Sequence, residues 1–135
     1  MTLEHAAIWT KDLEVLRTYY CKYFGAASNE KYINPVSGFE SYFLSFDSGA
    51  RLEIMSKPGI PANSNDTILL QHEGIIHLAF GVDTMREVDE MAVILKSNNY
   101  KILNGPRKTG DGYYEFETLD PDNNRIEVTT KYISS

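Results

Sequence analysis

His77-Leu78-Ala79-Phe80, followed by Thr84-Met85-Arg86-Glu87, lines up with His5-Ala6-Ala7-Ile8 followed by Asp12-Leu13-Glu14. The offset is 72 residues at the histidines and 74 where Glu127 lines up with Glu53. Few letters are shared; the pattern repeats as strand, helix, then three strands. One βαβββ module therefore occurs twice, at about 1–57 and 74–135, joined by the loop 58–73 that is rich in Pro, Asn and Ser. The repeat predicts an α+β fold and a single domain over 1–135.

Within the first module, residues 3–9 read as a strand and a helix follows from about 11 to 24. Thr10 is the expected N-cap, with Asp12 and Glu14 at the positive end of the helix dipole. Leu13, Leu16, Tyr20 and Phe24 recur at helical spacing and make one apolar stripe. Gly25 stands where a helix-ending glycine belongs. Strands are expected near 26–34, 39–47 and 50–56, divided by Asn34-Pro35, Ser37-Gly38 and Ser48-Gly49. In the second module Thr84 with Glu87 forms a capping box, and Val88, Met91, Ala92 and Leu95 form the apolar face. Asn98-Asn99 stops that helix. Strands near 100–104, 112–119 and 124–132 complete the module, with Asp120-Pro121-Asp122-Asn123-Asn124 as the last turn. Gly105, Gly110 and Gly112 are assigned to turns.

The residues that break the apolar strand pattern are His5, Glu53, His77 and Glu127. Alternation puts His5, Ala7 and Trp9 on one face and Ala6 and Ile8 on the other. Leu52 and Ile54 flank Glu53, and Ile126 and Val128 flank Glu127, so each carboxylate points away from the packed side. An ionised carboxylate among apolar neighbours costs several kcal/mol unless a partner or metal compensates. A lone glutamate in a strand is ordinarily solvated and a lone histidine ordinarily a satisfied core residue. Four such residues at equivalent repeat positions are a candidate metal site. Two imidazoles and two carboxylates suit one divalent ion of nickel, zinc, cobalt, manganese or iron.

At 135 residues, 42% hydrophobic and 24% charged, the composition is that of an ordinary globular protein. A formal charge of −6 argues against nucleic acid as a partner. No apolar run approaches the roughly 18 residues that span a bilayer, and the start MTLEHAAIW lacks a signal-peptide pattern. No membrane partner is expected. Cys21 is the only cysteine, which excludes an intrachain disulfide and points to the cytoplasm. No base is evident beside it to activate a nucleophile. Asn65-Asp66-Thr67 has the form of a glycosylation acceptor but is read as a plain loop. His72 and His77 are five residues apart, not the four of a helical metalloprotease motif.

With these residues in view, the chain resembles the vicinal oxygen chelate superfamily, and most of all its glyoxalase I branch. The resemblance covers essentially the whole chain. It rests on His5 and the Asp12-Leu13 helix start, Leu52-Glu53-Ile54, His77-Leu78-Ala79-Phe80, Gly105-Pro106, Asp120-Pro121-Asp122 and Ile126-Glu127-Val128. It implies paired modules forming a cupped mixed sheet around a metal held by His5, Glu53, His77 and Glu127. It implies a lyase or isomerase acting on the hemithioacetal of a 2-oxoaldehyde and a thiol, with Glu127 as base and Glu53 its symmetric alternative. Lys108 matches a lysine that approaches the thiol cofactor's carboxylate. The branch carries Arg four residues after the first His and Asn four after the first Glu; here Trp9 and Lys57 stand there. The resemblance thus extends to the metal chemistry and not to glutathione recognition. It also implies a homodimer, the site being drawn from two chains or from both modules of one.

Trp9 is a candidate for substrate contact because it shares His5's face. Tyr113 and Tyr114 put one ring on each face of their strand, and Tyr114 is the second candidate; alternation alone does not decide which faces inward. Two other functions fit the same fold. A drug-binding resistance protein would not need the four ligands, and an extradiol dioxygenase would need only two His and one carboxylate.

Overall fold

The computed structural model describes residues 1–64 and 68–132. The sequon Asn65-Asp66-Thr67 lies outside the described residues. The chain divides into two compact units, Met1–Ser64 and Asn65–Ser135.

Unit 1 runs β1 (His5–Trp9), α1 (Leu13–Phe24), β2 (Ala27–Ser28), β3 (Tyr32–Ile33), β4 (Glu40–Ser45) and β5 (Arg51–Ser56). Its sheet has the order β1-β5-β4-β2, with β3 also paired to β4. β1 and β5 are parallel, the other pairs antiparallel. Leu13, Leu16, Tyr19 and Tyr20 of α1 are buried, as are Leu44, Leu52 and Ile54 of the sheet. Fully burying one such side chain stabilises by about 1.5–3 kcal/mol. Phe24 is half-buried and packs its ring on Tyr19 and Tyr20.

The helix starts two residues later than expected, with Asp12 as its cap. The Thr10 N–H donates to Met55 O at 2.8 Å, so Thr10 still belongs to the sheet. Asp12 Oδ1 instead accepts from Val15 N at 3.1 Å. Gly25 ends the helix at φ +66°, as its position predicts. The strand expected over 26–34 is present as two short pieces. Asn29 interrupts it by using its own side chain: Oδ1 accepts from Phe43 N at 2.8 Å.

Unit 2 contains β6 (His77–Gly81), α2 (Met85–Ser97), β7 (Ile102–Lys108), β8 (Tyr113–Leu119) and β9 (Arg125–Lys131). The sheet order is β6-β9-β8-β7, again with one parallel pair, β6 with β9. The Thr84–Glu87 capping box is formed, and Val88, Ala92 and Leu95 are buried with Phe116, Ile126 and Val128. Asn98 caps the C-terminus, and Asn99 takes the left-handed conformation at φ +69°.

One glycine differs from its expected role. Gly105 lies inside β7, not in a turn, where the β7–β8 register shifts. Its φ is +85°, and a Cβ there would fall 2.5 Å from Glu115 O. Only glycine lets the two strands approach so closely. The α+β class and the repeated module are as the sequence predicts.

Candidate metal centre

Parallel pairing puts both half-sites in the same register. In unit 1 His5 stands across from Arg51, and Ala7 from Glu53; in unit 2 His77 stands across from Arg125, and Ala79 from Glu127. Alanine at the middle position leaves room for the two polar side chains to meet diagonally. His5 Nε2 lies 3.7 Å from Glu53 Oε1, and His77 Nε2 lies 3.3 Å from Glu127 Oε1. Two donors on one ion, each about 2.0–2.2 Å from it, stand roughly 3.0–3.5 Å apart. The His77–Glu127 pair falls in that range and the His5–Glu53 pair just outside it, so each unit by itself presents one imidazole and one carboxylate of a kind that fits two ligands of a divalent ion.

The exposure pattern follows the alternation argument. His5, Ala7 and Trp9 are exposed while Ala6 and Ile8 are half-buried, and β6 repeats this with His77, Ala79 and Gly81 against Leu78 and Phe80. The carboxylates are more sheltered, at 16% side-chain exposure for Glu53 and 13% for Glu127.

The surroundings of the two carboxylates differ. Across from Glu53 is Phe43; across from Glu127 is Glu117, with Glu115 next on the same face. Carboxylate oxygens of Glu115, Glu117 and Glu127 lie within 4.8 Å of one another. Burial, then the charges and hydrogen bonds of Glu115 and Glu117, push the Glu127 carboxyl up to about 7. Arg125, buried on the same face, pairs with Glu117 at 2.9 Å and donates to Ile68 O at 3.1 Å.

The sequence reading did not single out Glu115, Glu117 or Arg125. The signal was available: the β8–β9 hairpin mirrors about residue 122, which sets 117 against 127.

Trp9 lies on His5's face, its ring edge-on to Phe39 at 6.0 Å, and it remains 40% exposed. Lys57 Nζ is 5.6 Å from the Trp9 ring, so the two departures from the glyoxalase I pattern touch each other. Tyr114 is not on Glu127's face. It pairs with Thr130, and its hydroxyl donates to Asp89 of α2 at 2.6 Å. The adjacent carboxylate pushes its phenol above the usual range. Tyr113 has the face expected for Tyr114. Lys108 pairs with Tyr114, so it too is turned from Glu127, and its ammonium lies 4.9 Å from the Tyr132 ring. Arg107 takes the position across from Glu115.

Over residues 2–128 the chain matches the Glyoxalase/Bleomycin resistance protein/Dioxygenase superfamily, and it belongs to that family. Among solved structures it is similar to the trypanothione-dependent glyoxalase I of Leishmania major, with a TM-score of 0.74 and 22% identity, covering 95% of this chain and 85% of that one. A glyoxylase/bleomycin resistance protein/dioxygenase domain from Frankia sp. EAN1pec gives a TM-score of 0.79 at 14% identity, covering 97% and 98%. A glyoxalase I mutant from Zea mays gives 0.76 at 22%, covering 98% of this chain and 45% of that one. At these identities the likeness concerns the fold. No curated protein matches significantly. No helix among the described residues is long and apolar enough to cross a membrane.

Proposed function

We propose that the protein is a divalent-metal-dependent lyase or isomerase of glyoxalase I type, its two units acting as one domain in a cytoplasmic homodimer. The observation that carries this reading is the His–Glu pair recurring in both units at the same strand register. His5, Glu53, His77 and Glu127 would hold one ion of nickel, zinc, cobalt, manganese or iron. When bound, such an ion supplies Lewis acidity that lowers the cost of removing a proton beside an oxygen-bearing carbon.

The chain's own residues supply the base. Glu127 is the first choice, because burial and then the Glu115 and Glu117 carboxylates raise its affinity for a proton above that of an ordinary carboxylate. It takes the proton from one carbon of the 2-oxoaldehyde–thiol hemithioacetal and returns it to the next, so the substrate is isomerised without net loss. Glu53, beside Phe43, is its symmetric alternative. Trp9 offers an apolar wall on His5's face. The Trp9–Lys57 contact fills the positions that the glyoxalase I pattern gives to Arg and Asn, which favours a thiol other than glutathione.

Elemental analysis of protein purified without chelator, beside His77→Ala, tests the reading. Near-stoichiometric metal in the parent, lost in the variant, together with turnover of a thiol hemithioacetal, is the expected result. Absence of metal after reconstitution with each ion would overturn it and favour a metal-free binding protein on the same fold. Oxygen uptake with a catechol would instead point to a dioxygenase.

A further inference from the structure

His5 follows an acidic residue, where His77 follows Ile76. The acidic residue is Glu4, and Glu4 Oε1 lies 3.3 Å from His5 Nδ1, while His5 Nε2 faces Glu53. Glu4 is itself clamped. Arg51 Nε donates to Glu4 Oε2 at 3.1 Å, Arg51 Nη2 donates to Glu4 Oε1, and the Arg51 backbone N–H donates to the Glu4 carbonyl at 2.9 Å. Phe43 closes the group. The Arg51 guanidinium lies over its ring at 4.2 Å, and the His5 ring meets it edge-on with centroids 5.3 Å apart. Arg51 and Arg125 are repeat equivalents, but Ile76 stands where Glu4 does. Among the described residues, a carboxylate at the Nδ1 side of the imidazole is thus a feature of this half-site alone.

A neutral imidazole donates from one nitrogen and accepts at the other, and the partner of one nitrogen sets the role of both. A carboxylate can only accept, so it selects the proton on the nitrogen it faces. We propose that Glu4, fixed by Arg51, is a positioning residue that holds His5 in the Nδ1–H tautomer and presents the Nε2 lone pair to a divalent cation on the Glu53 side. The cation rests on the function proposed above; the tautomer does not. Outer carboxylates of this kind typically tune metal affinity by 10–100-fold. Because Glu4 and Arg51 are both substantially exposed, their pair adds little to global stability.

Long-range 1H–15N NMR of metal-free protein at pH 8 reads the tautomer, and cobalt titration of the same samples reads the affinity. The parent should show His5 protonated on Nδ1. Glu4→Ala should shift His5 toward the Nε2–H form and weaken cobalt binding about tenfold, with the His77 signals and Tm unmoved. Arg51→Ala should produce the same shift in part. A parent His5 already in the Nε2–H form, or a tautomer indifferent to Glu4→Ala, overturns the proposal. A changed tautomer with unchanged cobalt affinity overturns its metal clause. If the parent takes up no cobalt, the functional reading falls and the tautomer still decides the role of Glu4.

Discussion

Glu127 concentrates the electrostatic tension of unit 2. Its carboxyl is held at about 7 by burial and by Glu115 and Glu117, against an ordinary value of 4.5. Between those two values the folded, metal-free protein binds a proton that the unfolded chain has released. Stability should therefore fall as pH rises from about 4.5 to 7 and level off above that. Glu127→Gln removes the effect. In excess chelator the variant should match the parent near pH 4.5 and exceed it at pH 8 by on the order of 1–3 kcal/mol. Urea unfolding at the two pH values checks this; a parent curve equally steep in the variant would be the contrary result. At this scale the pairing of His5 with Glu53 and of His77 with Glu127 was legible because each residue breaks an apolar strand. The face of Tyr114 was not legible from alternation alone, since alternation gives two faces without saying which meets the helix. Counting outward from the Asp120–Asn124 turn supplies that, by placing 113, 115 and 117 with 127.

Turns and strand irregularities decide most of what the elements do beyond their periodicity. Asp120, 2% exposed, accepts from the Asp122 and Asn124 backbone N–H groups at 2.9 Å each and from Asn124 Nδ2 at 2.8 Å. Asp120→Ala strands these donors and should cost about 2–3 kcal/mol in thermal or urea unfolding. It acts through the hairpin that sets Glu117 against Glu127, so metal affinity should fall with it. Gly105→Ala meets both a positive φ and the Glu115 carbonyl, and should cost at least about 2 kcal/mol. Gly110→Ala, which meets nothing within 4 Å and has ordinary φ, serves as the tolerated control. The sequence marks Gly105-Pro106 as an interruption, yet strand continuation through it depends on β8 as a partner. The start of α1 likewise depends on a partner strand. Thr10 is as good a cap as Asp12 by residue type, and only the β5 carbonyl that claims its N–H excludes it.

For the whole molecule, the His–Glu pairs join the first strand of each unit to its last. On the function proposed above, EDTA should lower Tm, by about 5–10 °C if the proposed ion is present at some hundred times its Kd. Restoring one equivalent should recover it, and His5→Ala should abolish the difference; differential scanning calorimetry reads all three. The duplication also carries a historical consequence. Each sheet takes its strands from one unit, and each unit carries one His–Glu pair at the same register, His5 with Glu53 and His77 with Glu127. On the function proposed above, a gene half this length would encode only half of the four donors, so an ancestor of that size would work as a pair of identical copies. Fusion of two such copies would lift that constraint. One descendant half now sets Phe43 against its glutamate and the other sets Glu117, a division of labour that two identical copies cannot have.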